Sequence, residues 1–332
     1  MKKFISFSMA VILALFCLVS CAPAGADNEE GYYTRVLRSE MGRLCISLST
    51  KAKDGTVLPE EKLKEIYDSA CTAFAEGYRF LTEDEGSQLS AINANIPTVL
   101  DIDEKLLEEI GRAMDFSALT DGLYDPTAGS LTALLRSKNS PQSDELKDAL
   151  SHVGSDKLTF SEKIITKADP LTRLDLYSWR DGYALRCACD YLKETETAFG
   201  TVTFNGIAGV FGEKPDGETF SVELGNGKSG VFNITDGYVA LVCEGFGSAY
   251  DLSDGTLDPA LSRCAVYAPK AEHAAVLASV GYSAGSDALL GLYEKEELTF
   301  EAVITEKDGK EVFTKNAKDS DLYTPITTAV SE

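Results

Sequence analysis

Residues 120–131 read Thr120-Asp121-Gly122-Leu123-Tyr124-Asp125-Pro126-Thr127-Ala128-Gly129-Ser130-Leu131, and they concentrate the chain's chemically useful groups. Two carboxylates flank a glycine turn, and a proline stiffens the backbone beyond it. Pro126 fixes its own φ and pushes Asp125 into extended backbone, so the segment is a rigid, polar, non-helical corner. Its carboxylates and hydroxyls can accept hydrogen bonds from a ligand, or they can close a turn and cap the next helix.

Periodicity predicts the elements that must position these groups. Leu63, Ile66, Tyr67, Ala70, Phe74, Tyr78 and Leu81 fall at helical spacing over 59–81, which makes an amphipathic helix. Further helices are expected over 103–116, from Ser143 to just before Gly154, and over 181–193, 270–280 and 285–293. Strand patterns occupy 43–49, 200–211, 218–224, 230–235, 238–243 and 262–268, with turns such as Gly225-Asn226-Gly227. A hairpin over 298–305 and 311–314 closes around Asp308-Gly309. No repeat is present and the parallel βαβ rhythm is absent, so the fold class is α+β with antiparallel sheets.

Composition narrows the function classes. The formal charge is −22 over 332 residues, and a surface this acidic opposes nucleic acid and anionic headgroups. Cys45, Cys71, Cys187, Cys189, Cys243 and Cys264 lie mostly in apolar contexts and read as free thiols, and no Cys/His spacing fits a zinc site. The two histidines, His152 and His273, are far apart and read as surface residues.

The N-terminus carries a separate message. Lys2 and Lys3 precede an apolar run from Phe4 to Val19, ending Leu18-Val19-Ser20-Cys21. That is an export signal over 1–20, too short for a lasting membrane span. A cysteine after Leu-x-Ser is a bacterial lipobox, so Cys21 is expected to carry a lipid, and 21–33 to tether the domain at 34–332. The expected location is extracytoplasmic, anchored to the membrane.

Residues 120–131 closely resemble the pattern T-D-G-x-[FY]-D-P-T-x-G-x-L of the ApbE family, the FAD:protein FMN transferases. Residues 87–93 are similar to that family's S-E-[IL]-S-R-[LF]-N, Met41-Gly42-Arg43 to its M-G-T, and Tyr250–Gly255 to its I-D-P-R-T-G. Leu174-Asp175-Leu176 and Gly182-Tyr183-Ala184 frame its D-L-G-G-I-A-K-G-Y-A, which in a second version is D-L-S-T-V-G-E-G-Y-A. Order and spacing agree over about residues 40–305. The resemblance implies a larger layered α+β core (T-fold-like, with mixed or antiparallel sheets), a smaller subdomain, and a flavin nucleotide between them. It implies FAD as substrate, a threonine of a partner protein as acceptor, and Mg²⁺ bridging the diphosphate. It assigns flavin contacts to Met41, Leu123, Tyr124, Asp125, Asp175, Asp181 and Asp251.

The family's metal ligands are an Asp and a Thr on a helix [AG]-D-[AG]-L-[AD]-T-[AG]-L-x-x-L-G, plus an oxygen from the D-L-[GS]-[GT] segment. Ser178 stands where one version has a metal-binding threonine. With the helix anchored on Gly281, Ala271 and Ala275 replace the Asp and Thr, and a one-residue slip brings in Glu272. Ser178 and Glu272 are therefore the metal candidates. Tyr177, Trp179 and Arg180 exceed the small residues usual there, and either pack under the following helix or obstruct the pocket. Ala240-Leu241-Val242-Cys243 replaces A-T-S-G, and Ser248 replaces a histidine. Two readings stand: a working transferase, or a flavin- or protein-binding lipoprotein of the same fold without catalysis.

Overall fold

A computed structural model of the chain describes residues 31–138, 141–223, 230–244 and 259–325. The export signal, Cys21, the Gly225–Gly227 turn, Ser248 and the Asp251 corner lie outside the described residues. The chain opens with a hairpin of β1 (Tyr32–Ser39) and β2 (Gly42–Ser49). Helix α1 (Glu60–Phe80), the short α2 (Gln88–Ile92), β3 (Thr98–Val99) and α3 (Glu104–Leu119) follow. The 120–128 corner leads to α4 (Gly129–Ser137), α5 (Ser143–Ser151), β4 (Leu158–Ser161) and β5 (Ile164–Lys167). After α6 (Tyr177–Lys193) come β6 (Phe199–Phe204), β7 (Ile207–Gly212), β8 (Phe220–Glu223), β9 (Gly230–Ile234), β10 (Gly237–Cys243) and β11 (Leu261–Ala268). The chain continues through α7 (Ala271–Ala284), α8 (Ser286–Glu294), β12 (Glu301–Glu306), β13 (Glu311–Phe313), α9 (Lys315–Asp319) and β14 (Tyr323–Pro325).

Eight strands form the main sheet in the order β1-β2-β6-β7-β10-β11-β12-β13. Every strand pairing described is antiparallel. Helices α1, α6 and α7 cover one face, and the small sheet β14-β9-β8 covers the other. Strand β10 shows why these segments read as unbroken apolar runs. Tyr238, Ala240 and Val242 enter the core beneath the helices, while Val239 and Leu241 enter the second core. A strand buried on both faces loses the polar alternation of a surface strand. A third sheet, β3-β5-β4, joins the main core through Val99, Leu158 and Ile165, while α4 and α5 enclose a small core of their own around Leu131, Leu135 and Ala149.

The structure adds α2, α4, α9, β3, β4, β5 and β14, which periodicity does not single out, and departs from the expected elements elsewhere too. The run 200–211 is two strands, because Asn205 (φ 45°) and Gly206 (φ 81°) turn the chain back on itself. Asn-Gly is the strongest short hairpin signal, and the apolar residues on either side masked it. Strand β1 begins at Tyr32, so the end of the 21–33 segment is already strand. Helix α6 starts four residues ahead of the expected 181, since Asp175 Oδ1 accepts from the Tyr177 N–H at 2.9 Å and launches the helix there. The six domain cysteines are free thiols, with Cys45, Cys189 and Cys264 buried.

Candidate functional site

The two aspartate corners are brought together by backbone pairing. Asp175 N donates to Pro126 O at 2.7 Å, Gly129 N donates to Arg173 O at 3.0 Å, and Ala128 and Arg173 form a parallel bridge. Gly129 is required, because a Cβ there would meet Arg173 O at 2.7 Å. Asn93 clamps the second strip from behind. Its Nδ2 donates to Leu174 O at 2.9 Å and its Oδ1 accepts from Leu174 N at 2.7 Å. Lys167, buried, donates to the carbonyls of Ile92, Ala94 and Thr172. The Ser87–Asn93 motif thus serves the site indirectly, by holding the segment that carries Asp175.

The 120–131 corner is also a structural device. Thr120 is buried; its Oγ1 donates to Ser117 O at 3.1 Å and accepts from Tyr124 N at 3.3 Å, closing the end of α3. Asp121 (φ 53°) and Gly122 (φ 75°) make the turn, and the Asp121 carboxylate pairs with Lys295. Asp125 Oδ1 accepts from Thr127 N at 2.7 Å and from Thr127 Oγ1 at 2.6 Å, an Asx turn. It does not cap α4, whose N-cap is Ala128 without a side-chain bond.

Between this corner, the start of α6 and one face of α7 lies a cleft of about 530 Å³, its open mouth included. Leu123, Tyr124, Asp125, Asp175, Tyr177 and Ser178 line it, with Arg136 from α4 and Val276, Ser279, Val280 and Ser283 from α7. Arg136 Nη2 donates to Asp175 Oδ2 at 2.7 Å. Ser178 Oγ and Ser279 Oγ share a hydrogen bond of 3.1 Å. The Tyr124 hydroxyl is buried with no hydrogen-bond partner in the structure, and burial raises its pKa well above the ordinary phenol value. A buried donor left unpaired costs about 1–3 kcal/mol, so this hydroxyl is poised for a ligand atom.

Other expected site residues lie elsewhere. Met41 is half-buried against the core at the β1–β2 turn and does not line the cleft. Asp181 is buried behind it, ion-paired with Arg180 at 2.9 Å and accepting from Asn205 Nδ2 at 3.4 Å. Burial raises its pKa despite Arg180. Glu272, a metal candidate by sequence, is sealed between α6 and α7. Its Oε1 accepts from Arg186 Nε at 2.6 Å, and it is only 3% exposed. Gly182 permits this close approach, since a Cβ would meet Glu272 Cα at 2.6 Å. The cleft contains Ser178 and not Glu272. Trp179 packs in the core, with its ring 6.3 Å from Tyr124 and nearly parallel, and its Nε1 donates to Glu109 Oε2 at 3.3 Å. It is Tyr177 that stands at the cleft.

Neither histidine is a free surface residue. His152 Nδ1 lies 2.6 Å from Asp169 Oδ2, and His273 stacks on Phe116 with centroids 4.2 Å apart. Burial pushes the His273 pKa down to about 4.

The structure also re-registers α7 against the sequence pattern. The cleft-facing residues are Val276, Ser279, Val280 and Ser283, one turn beyond the positions set by Gly281. Anchoring on Gly285 aligns Ala274, Leu277, Ala278 and Gly285, and places Ser279 at the family's Thr and Ala275 at its Asp. Ser279 is the site residue that the sequence pattern alone does not find. Gly281 misleads because that glycine meets a packing demand: a Cβ there would strike Cys264 Sγ at 2.6 Å.

The ApbE family model matches residues 77–304, more than half of the chain. The chain belongs to the ApbE family. Solved ApbE structures share the fold. The Pseudomonas stutzeri flavinyl transferase ApbE in its apo form is 18% identical with a TM-score of 0.72, over 86% of this chain and 94% of that one. The ApbE protein of Thermotoga maritima is 20% identical with a TM-score of 0.73, over 86% and 98%. The Vibrio cholerae flavin transferase ApbE is 17% identical with a TM-score of 0.69, over 86% and 98%. No curated relative matches at the sequence level.

ApbE chemistry implies Mg²⁺, and the described residues fit it poorly. Mg²⁺ demands hard oxygen ligands in near-octahedral geometry. The α7 face offers the Ser279 hydroxyl, already bonded to Ser178, and the Ser283 hydroxyl, which donates back to Ser279 O at 3.0 Å, while Ala275 has no side-chain oxygen to give. The Asp175 carboxylate is engaged by Arg136. Among the described residues no group of three His, Cys, Asp or Glu side chains is placed to hold an ion.

Proposed function

We propose that this chain binds FAD in the cleft and acts as an ApbE-like FAD:protein FMN transferase with slow turnover. A threonine hydroxyl of a partner protein would attack the flavin-side phosphorus. The bond to AMP breaks, AMP departs and the hydroxyl proton is released. The observation that carries the reading is the convergence of Leu123, Tyr124, Asp125 and Asp175 on one cleft, built from two separate ApbE motifs. In this reading Leu123 and Tyr124 supply apolar contact, the Tyr124 hydroxyl donates to the nucleotide, and the aspartates accept from its N–H and O–H groups. Ala275 in place of a carboxylate limits the rate, because charge developing on the departing AMP is poorly met. The lipobox supports placing the domain outside the cytoplasm, tethered through the lipid on Cys21.

A second reading, a flavin-binding lipoprotein without turnover, is favoured by the same alanine. The two are separated by incubating the full chain with FAD, Mg²⁺ and an ApbE acceptor protein. AMP released in step with covalent flavin on the acceptor is the expected outcome. Bound FAD with no AMP supports the second reading, and absence of both bound flavin and AMP overturns the first and the second together.

A further inference from the structure

We propose that Thr127 is a positioning residue for the cleft, its hydroxyl fixing the Asp125 carboxylate and tying it to the loop that follows α5; this rests on the reading that the cleft takes FAD. Asp125 lines the cleft, whereas Thr127 is fully buried and does not. The Thr127 hydroxyl makes two bonds. Its Oγ1 donates to Asp125 Oδ1 at 2.6 Å and accepts from the Gly154 N–H at 2.7 Å. An amide N–H can only donate and a carboxylate can only accept, so the roles in this relay follow from its two ends. A threonine that served the turn alone would need only the Asp125 bond. The second bond reaches across the sequence to Gly154, and the turn does not require it.

The consequence falls on the ligand-facing carboxylate. Thr127 N also donates to Asp125 Oδ1, at 2.7 Å, so that oxygen is held twice. Oδ2 is then the oxygen left to accept from an N–H or O–H of the ligand. A free aspartate turns broadly about its last torsion, whereas one pinned by Oδ1 has little left to lose when a ligand binds. The far end of the relay is itself anchored. His152, two residues before Gly154, has its Nδ1 2.6 Å from Asp169 Oδ2, and its carbonyl accepts from Thr172 Oγ1 at 2.9 Å. Thr172 O in turn accepts from the buried Lys167 at 3.0 Å. Residue 172 leads directly into the strip that carries Asp175. The 152–154 loop thus braces both aspartate corners from outside the cleft, and Thr127 is where that brace meets a carboxylate that faces the ligand.

The test is a double-mutant cycle, read by FAD titration of the full chain in detergent. Thr127→Ala is expected to weaken FAD binding by about fivefold to tenfold. Thr127→Ser keeps the oxygen and should stay within about twofold of the wild type. In an Asp125→Ala background, Thr127→Ala should weaken binding by less than about twofold more, because the carboxylate it positions is gone. A threonine that only supports the fold would weaken binding by the same factor in both backgrounds, so additive losses overturn the proposal. Undiminished binding by Thr127→Ala or by Asp125→Ala overturns it as well. Thermal melts check that each variant is folded. If Thr127→Ala does not melt cooperatively, Thr127→Val, which fills the space without the hydroxyl, takes its place in the cycle. Wild type that binds FAD beside an unaffected Thr127→Ala sinks the proposal alone, whereas wild type that binds no FAD sinks the flavin reading and the proposal with it.

Discussion

Ala275→Asp combined with Ser279→Thr is expected to create a Mg²⁺ site in the cleft, raising affinity roughly 10–100-fold over the wild type. Positions 275 and 279 are one turn apart on α7 and share a face. The Ser279 hydroxyl already bonds back to Ala275 O at 3.1 Å, so the two side chains would sit one above the other. An aspartate adds the missing hard, anionic oxygen, and the threonine methyl restricts the hydroxyl to fewer rotamers. Calorimetric Mg²⁺ titration is the check. A melting temperature raised by Mg²⁺ only in the double variant would show binding by the folded state. A folded double variant that gains no Mg²⁺ affinity would mean that α7 does not face the metal position. AMP release from FAD is expected to rise with metal binding, although Tyr177 and Arg136 remain in the cleft.

Arg186→Met is expected to destabilise the chain by about 3–5 kcal/mol. Arg186 reaches Glu272 at 2.6 Å and Glu109 at 3.2 Å, and both carboxylates are buried. Removing the guanidinium strands Glu272, whereas Glu109 keeps Arg112 at 2.6 Å and the Trp179 N–H. In the wild type, burial already raises the Glu272 pKa above its ordinary 4.5, against the pull of Arg186. A raised folded-state pKa favours folding at low pH and is lost as pH rises. The variant's deficit should therefore shrink below pH 4.5 and be largest at neutral pH. Thermal melts at pH 4 and pH 7.5 measure it, with an expected drop of roughly 5–10 °C at the higher pH. An unchanged melt at pH 7.5 would show that the pair contributes nothing. Arg186→Lys, which keeps a cation there, should lose less.

Much of the fold was legible because its signals are local. The stripe from Leu63 to Leu81 marks α1, and Asp308-Gly309 marks the closing hairpin, with Gly309 at φ 88°. The Asp125 corner was legible for the same reason, since proline and an Asx turn act over a few residues. The site as a whole was not. Asp125 and Asp175 meet through backbone bonds across fifty residues, and the Asn93 side chain that supports them carries no periodic pattern. Glu272 was a reasonable metal candidate from the resemblance to the family's metal helix, yet whether a carboxylate faces a cleft or a buried arginine depends on the rotation of α7. That rotation is set where Gly182 of α6 meets Glu272 and where Gly281 meets Cys264 of β11, contacts that no linear pattern reveals.

The central claim is that the cleft over Tyr124 binds FAD, and the chain carries its own probe. Trp179 is its single tryptophan, buried at 2% exposure and 6.3 Å from the Tyr124 ring that lines the cleft. A flavin seated there would accept excitation energy from the indole. Titrating the full chain with FAD, with free tryptophan as the optical control, should give saturable quenching of Trp179 emission beyond the control. Emission that tracks the control at every FAD concentration, from a chain that still melts cooperatively, would contradict the claim.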